Sequence, residues 1–222
     1  SEALSQVNGA MEIAFALPAD INGDWFTKDE LALWPELTVD KRVARMLGRI
    51  AAKKAIVCYL QREGVSCTPM SVGVHNDALG APFVLVDAVT RDDIRISLSH
   101  ESAGAVAVVS GALSRRFGVD IERIQSFDAR FQADFLSPEE QQVVAMLPIA
   151  EQSRALTRYW SLKEACLKAL GTGLQEHPHT LLIREIAPGK YGIFRADRLI
   201  GEGSELLVPI EGRIAVIVHL SA

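Results

Sequence analysis

Phe117-Gly118-Val119-Asp120-Ile121-Glu122 and Trp160-Ser161-Leu162-Lys163-Glu164-Ala165-Cys166-Leu167-Lys168 are the two stretches that decide how this chain is read. The first alternates in the manner of a half-buried strand. Asp120 and Glu122 leave one face while Val119 and Ile121 fill the other. The second has helical spacing, with Glu164 between Lys163 and Lys168 and with Trp160 and Leu167 about one turn to either side. Neighbouring carboxylates repel unless water or a cation neutralises them, and hard oxygen donors suit magnesium together with phosphate oxygens. Taken singly, the first stretch reads as a solvated strand face and the second as an exposed helix with one ion pair. Taken together, they read as one three-carboxylate site split across a strand and a helix.

Around these stretches, 222 residues that are 49% hydrophobic suffice for one large domain or two small halves. A net charge of −5 and a pI near 5.6 argue against a general affinity for nucleic acid or an anionic membrane, so an anionic ligand must be met locally. Cys58, Cys67 and Cys166 are odd in number and lack metal-ligand spacing, which predicts reduced thiols and a cytoplasmic setting. The start lacks a basic and then apolar leader, and no run approaches the ~18 apolar residues of a spanning helix. Ser1 is not an initiator, so the residues before Met11 read as a tag or extension.

The longest helical periodicity runs from Thr38 to Arg62 and ends before Gly64. Short strands are expected over 71–75 and 83–87, then over Ile94–His100, where Ile94, Ile96 and Leu98 face one way and Arg95, Ser97 and Ser99 the other. Gly104–Ser110 and Phe117–Ile124 read as two further strands joined through a turn over 111–116. A helix-rich stretch from Asp128 to Leu170 follows, and the tail offers strands over 180–186, 191–196, 205–210 and 213–220. This order predicts an α+β protein of two pseudo-symmetric halves, 11–112 and 113–222, each an antiparallel sheet packed with a long helix. A faint internal repeat supports two halves: Gly48–Ile56 overlays Leu162–Leu170, and Val106–Val109 resembles Ile214–Ile217. In that overlay Ile50 stands where Glu164 stands, so one site per chain is expected.

Ser137-Pro138-Glu139-Glu140 is a capping-box signature, which gives Glu140 a structural role compatible with a place near the site. Phe127, Phe131 and Phe135 recur at four-residue spacing, as a packing stripe does. His100 at a strand end reads as a hydrogen-bonded histidine, and with Ser99 it offers donors suited to phosphate.

Gly118–Glu122 followed by Trp160–Lys168 resembles the two signature motifs of the 4'-phosphopantetheinyl transferases, of the long, surfactin-synthetase-activating type. Leu98-Ser99-His100, Phe135–Glu140 and Arg45–Gly48 look like further family segments, so the likeness spans roughly residues 38 to 175. The resemblance implies transfer of 4'-phosphopantetheine from coenzyme A to a serine of an acyl or peptidyl carrier protein, releasing adenosine 3',5'-bisphosphate. It implies a magnesium site of Asp120, Glu122 and Glu164, with Glu164 also deprotonating the serine and Lys168 meeting phosphate charge. Ser99, His100, Arg45 and Lys163 would bind coenzyme A, Arg45 at its 3'-phosphate, in a site at the interface of the halves of a monomer. The chain departs from the family's pattern at Gly80-Ala81-Pro82, where Gly-Lys-Pro is common, so the resemblance implies either weaker binding of coenzyme A or substitution by Arg95 or another cation. A magnesium-dependent hydrolase of nucleotide pyrophosphates would use the same acids without a carrier protein. A carrier-binding module without catalysis would be expected to lose them. The carrier, from fatty-acid, polyketide or peptide synthesis, is not specified.

Overall fold

The computed structural model describes residues 11–32, 34, 36–78, 80–111, 116–172 and 175–221, and divides the chain into two units, Ser1–Ser114 and Arg115–Ala222. The expectations for residues before Met11 and for the turn after Gly111 lie outside the described residues.

In the N-terminal unit, strand β1 (Met11–Ala16) precedes a short helix α1 (Lys28–Ala32) and the long α2 (Val39–Arg62). The long helix stops beside Gly64, whose φ of +80° is open to glycine without strain. Strands β2 (Val72–Asn76), β3 (Pro82–Val86) and β4 (Val89–Thr90) make one antiparallel sheet. Strands β5 (Arg95–Glu101) and β6 (Gly104–Ser110) join β1 in another, ordered β1-β6-β5. Leu47, Ile50, Ala51 and Ile56 of α2 share a core with Ala105, Ala107 and Val109 of β6 and Ile96 of β5.

The C-terminal unit repeats the plan. Strand β7 (Phe117–Arg123) leads to α3 (Ala129–Phe135), α4 (Pro138–Met146) and α5 (Ile149–Leu170). Strands β8 (Leu182–Ala187), β9 (Lys190–Arg195), β10 (Arg198–Leu206) and β11 (Arg213–Leu220) complete an antiparallel sheet ordered β7-β11-β10-β9-β8. The chain is α+β, as expected. In both units the first strand pairs with the last, and the long helix lies against that pair.

One strand lies earlier in the chain than its sequence pattern indicates. The expected strand over 205–210 is β10, which begins at Arg198 and ends at Leu206. Its glycines hid it. A β-carbon at Gly201 would stand 2.5 Å from the His219 carbonyl oxygen, and one at Gly203 would stand 2.6 Å from Leu162. Both glycines therefore report close packing on β11 and α5, not a turn.

Gly118 has the same meaning at the place that matters most for Asp120. A β-carbon there would lie 1.9 Å from the Ala165 carbonyl oxygen and 2.8 Å from the Ala169 nitrogen, so the β7 and α5 backbones touch. Gly118→Ala must push strand and helix apart, and a loss of about 3 kcal/mol in urea unfolding is expected. A loss within experimental error would show that the contact is not tight.

Candidate functional site

Strand β7 lies at the edge of its sheet, yet Asp120 is buried there, opposite Val216 of β11. The reason is α5, which packs along β7 and covers the acidic face. Lys168 reaches from the last turn of α5 to place its Nζ 2.8 Å from Asp120 Oδ1 and 3.1 Å from the Val119 carbonyl oxygen. Glu164 sits one turn earlier on the same helix. Burial raises its pKa, the negative charge of Asp120 raises it further, and Lys168 opposes both. The Asp120 charge thus favours the protonated form of Glu164, a repulsion that a further cation would relieve. Glu122, two residues on, accepts a hydrogen bond from the Trp160 indole Nε1 at 3.2 Å. The structure thus brings Asp120, Glu164 and Lys168 together on β7 and α5, and ties Glu122 to α5 through Trp160.

Among the described residues, no three carboxylate, histidine or cysteine side chains close around one point as a ready cage for a metal ion. That arrangement still suits magnesium, which binds through one or two carboxylates and keeps waters and substrate oxygens.

The aromatic stripe is core, as its spacing suggests. Phe127, Phe131 and Phe135 pack on one another with ring centroids 5.2 to 5.7 Å apart, and Trp160 meets Phe131 and Phe135 at 5.1 and 5.4 Å. The stripe holds the indole that orients Glu122. A cleft of about 390 Å³ opens here, lined by Phe131, Phe135, Trp160, Glu164, Leu167 and His177 among others.

In the N-terminal unit, Ser99 and His100 lie half-buried near the end of β5. The imidazole rests on α2, since a β-carbon at Gly48 would approach its Cδ2 to 2.6 Å. Arg45 is exposed one turn before Gly48 on α2. It stands near Arg49, whose pKa is pushed down mainly by burial and also by the Arg45 charge. Gly48→Ala would displace the His100 ring. If His100 binds a phosphate of coenzyme A, as the resemblance implies, KM for coenzyme A should rise roughly tenfold, about 1.4 kcal/mol, with little change in kcat. An unchanged KM would remove His100 from the binding site.

Lys163 departs from the role that resemblance gave it. Its side chain is 0% exposed and that of Glu140 is 1% exposed. The ammonium lies 2.7 Å from Glu140 Oε2 and 2.6 Å from the Phe135 carbonyl oxygen, so it faces the core and not a ligand. Glu140 does cap α4. Its Oε2 accepts from the Ser137 nitrogen at 2.7 Å, and its own nitrogen donates to Ser137 Oγ at 3.2 Å. Its other oxygen accepts from the Ile183 nitrogen of β8 at 2.7 Å.

The N-terminal unit carries the same construction. Lys53 Nζ lies 2.8 Å from Glu30 Oε2 and 2.8 Å from the Trp25 carbonyl oxygen, and Glu30 exchanges hydrogen bonds with Thr27. Trp25, Thr27, Glu30 and Lys53 each stand 110 positions before Phe135, Ser137, Glu140 and Lys163. This corrects the register of the repeat by one helical turn. Lys53, not Arg49, is the counterpart of Lys163, and Lys54, not Ile50, stands where Glu164 stands. Alanine-rich helices match almost as well one turn out of step, whereas buried partners do not. The recurrence of Thr27-x-x-Glu30 as Ser137-x-x-Glu140 is the sequence signal that would have found it.

Residues 116–205 match the 4'-phosphopantetheinyl transferase superfamily, ACPS. The 4'-phosphopantetheinyl transferase HetI of Nostoc sp. is 28% identical over 128 residues, covering 57% of this chain and 53% of the relative. The 4'-phosphopantetheinyl transferase psf-1 of Bacillus pumilus is 33% identical over 78 residues, or 35% of this chain and 32% of its own length. The chain thus spans about half, or less, of the relatives it matches. Among solved structures, the holo-[acyl-carrier-protein] synthase of Thermotoga maritima aligns with a TM-score of 0.40 at 20% identity, over 47% of this chain and 62% of that one.

Proposed function

We propose that this chain, whose residues 116–205 match the 4'-phosphopantetheinyl transferase superfamily, moves the 4'-phosphopantetheine of coenzyme A onto a serine of an acyl or peptidyl carrier protein. The observation that carries the reading is the gathering of Asp120 with Glu164 and Lys168, in which Glu164 is held partly out of water beside a second acid.

The reaction needs little covalent help. The serine oxygen attacks the phosphorus that bears the pantetheine arm, and the bond from that phosphorus to the bridging oxygen breaks to release adenosine 3',5'-bisphosphate. Positioning and neutralisation of charge carry such a step. Glu164 is the group suited to take the serine proton, because burial and Asp120 raise its basicity above that of an ordinary glutamate. Lys168 holds Asp120 in place and supplies positive charge beside it. Asp120 and Glu164 would hold magnesium, with Glu122 assigned to it by resemblance alone, and the ion would supply neutralisation of the pyrophosphate oxygens. Arg45, Ser99 and His100 are assigned to phosphates of coenzyme A by resemblance. Lys163 is left out of the ligand set because its ammonium is enclosed by Glu140 and Phe135.

The test is incubation with coenzyme A, magnesium and several apo carrier proteins, followed by intact mass of each carrier. A mass increase by one phosphopantetheine on at least one carrier is expected. No adduct on any of them would sink the reading. Consumption of coenzyme A without a carrier would replace it by pyrophosphate hydrolysis.

A further inference from the structure

The pair of Lys163 and Glu140 poses a question of its own. Two opposite charges enclosed in a core add little stability over a well-packed apolar pair, because desolvation offsets their attraction. What such a pair does well is fix geometry, and this one is placed to do so. Glu140 joins three elements at one carboxylate: the start of α4 through Ser137, β8 through Ile183, and α5 through Lys163. Lys163 closes the knot on the last carbonyl of α3, that of Phe135. Glu164 is the next residue along the helix. It lies about 100° around the axis from Lys163 and about 40° from Lys168, which fastens the same helix to β7 through Asp120. The acid is therefore flanked by two lysine anchors that face different partners.

We infer that the Lys163–Glu140 pair is a positioning device that sets the rotation of α5 and thereby aims the Glu164 carboxylate. The inference rests on the transferase reading above. A carboxylate ~5–6 Å from the helix axis moves ~2 Å when the helix turns by ~20°. A misplacement of even ~1 Å can cost about 100-fold in rate. Neither residue touches substrate. Their role is exerted through the helix.

The N-terminal unit supplies an internal control. Lys53 and Glu30 form the same knot, but the next residue is Lys54, which pairs with Asp20 at 2.8 Å. A purely structural pair should matter alike in both units. A positioning pair should matter to turnover only where an acid follows the lysine.

The experiment compares two charge-free doubles in the full chain, Lys163→Met with Glu140→Gln and Lys53→Met with Glu30→Gln. Removing both charges avoids an isolated buried ion, which is the usual cause of unfolding in single variants. In the first double, kcat should fall about 30- to 100-fold while KM for coenzyme A stays within about threefold. In the second, kcat should stay within about twofold. Equal effects on kcat in both doubles, or none in either, would overturn the inference. If the first double does not fold, Lys163→Gln with Glu140→Gln, which keeps hydrogen-bonding groups on both sides, is read in the same way.

A second readout separates this inference from the transferase reading. The Trp160 indole N–H, on the same helix, donates to Glu122 and reports the rotation of α5 in a nitrogen-proton spectrum. Its resonance should move toward that of a free indole in the first double and stay in place in the second. Should the wild-type chain transfer nothing to any carrier, the transferase reading fails, and an unmoved indole resonance would then separately refute the positioning role.

Discussion

Glu164→Gln is expected to reduce phosphopantetheine transfer by about 10³-fold or more in kcat while leaving the thermal midpoint nearly unchanged. The substitution keeps the size of the side chain and removes both its charge and its basicity. Burial and the Asp120 charge raise the Glu164 pKa, so neutralising it relieves a native-state repulsion and should not destabilise the unit. The loss must then appear in the chemistry. Activity should fall at acid pH as Glu164 takes up a proton, and magnesium bound beside it, by favouring the charged form, places that limb lower than the shift in the metal-free chain would. In the glutamine variant that acidic limb should vanish from the residual rate. Intact-mass kinetics across pH measure both. Residual activity within tenfold of wild type, or an acidic limb that survives, would show that Glu164 is neither the base nor a ligand.

The sequence disclosed the elements that form this site more fully than it disclosed their contacts. Strand β7 and helices α2 and α5 are visible because their residues repeat with the period of the element, and the α4 cap is visible because four consecutive residues spell it. Lys163 is not visible in this way. Hydropathy treats a lysine as a solvated charge, and its partners Glu140 and Phe135 lie 23 and 28 positions away. The hydrogen bond from Trp160 to Glu122 spans 38 positions and is hidden for the same reason. Strand β10 was concealed by Gly201 and Gly203, residues that usually mark turns but here admit the backbone of β11 and the side chain of Leu162. Periodicity reports which face of an element is buried. It does not report what lies against that face, and the chemistry of the site depends on that.

Glu140→Gln alone gives the largest expected loss of stability. The change leaves the Lys163 ammonium enclosed, with the Phe135 carbonyl as its remaining strong partner and no opposing charge. Breaking a buried pair from one side costs about 3–5 kcal/mol, because the surviving ion must be held in the core or neutralised. For a chain of this size the thermal midpoint should fall by on the order of 10 °C. Part of the capping box survives, since an amide oxygen at the Oε2 position still accepts from Ser137. The amide nitrogen then faces the Ile183 N–H, donor against donor, and that lost bond joins the cap as the share independent of charge. The pH dependence tells the two causes apart. Burial already pushes the Lys163 pKa below its usual range, with Glu140 opposing, and removing that carboxylate must push it further down. A lysine with a depressed native pKa releases its proton at lower pH when folded than when unfolded. The unfolded chain therefore binds more protons across that window, and stability rises with pH until the unfolded lysine, near 10.4, is also neutral. Relative to wild type, the deficit of the Glu140→Gln variant should narrow as pH is raised from 7 toward 10, when thermal unfolding is followed by circular dichroism. Lost hydrogen bonds predict a deficit that does not change with pH. A constant deficit would therefore assign Glu140 to hydrogen bonding alone and remove the buried charge as the source of the loss.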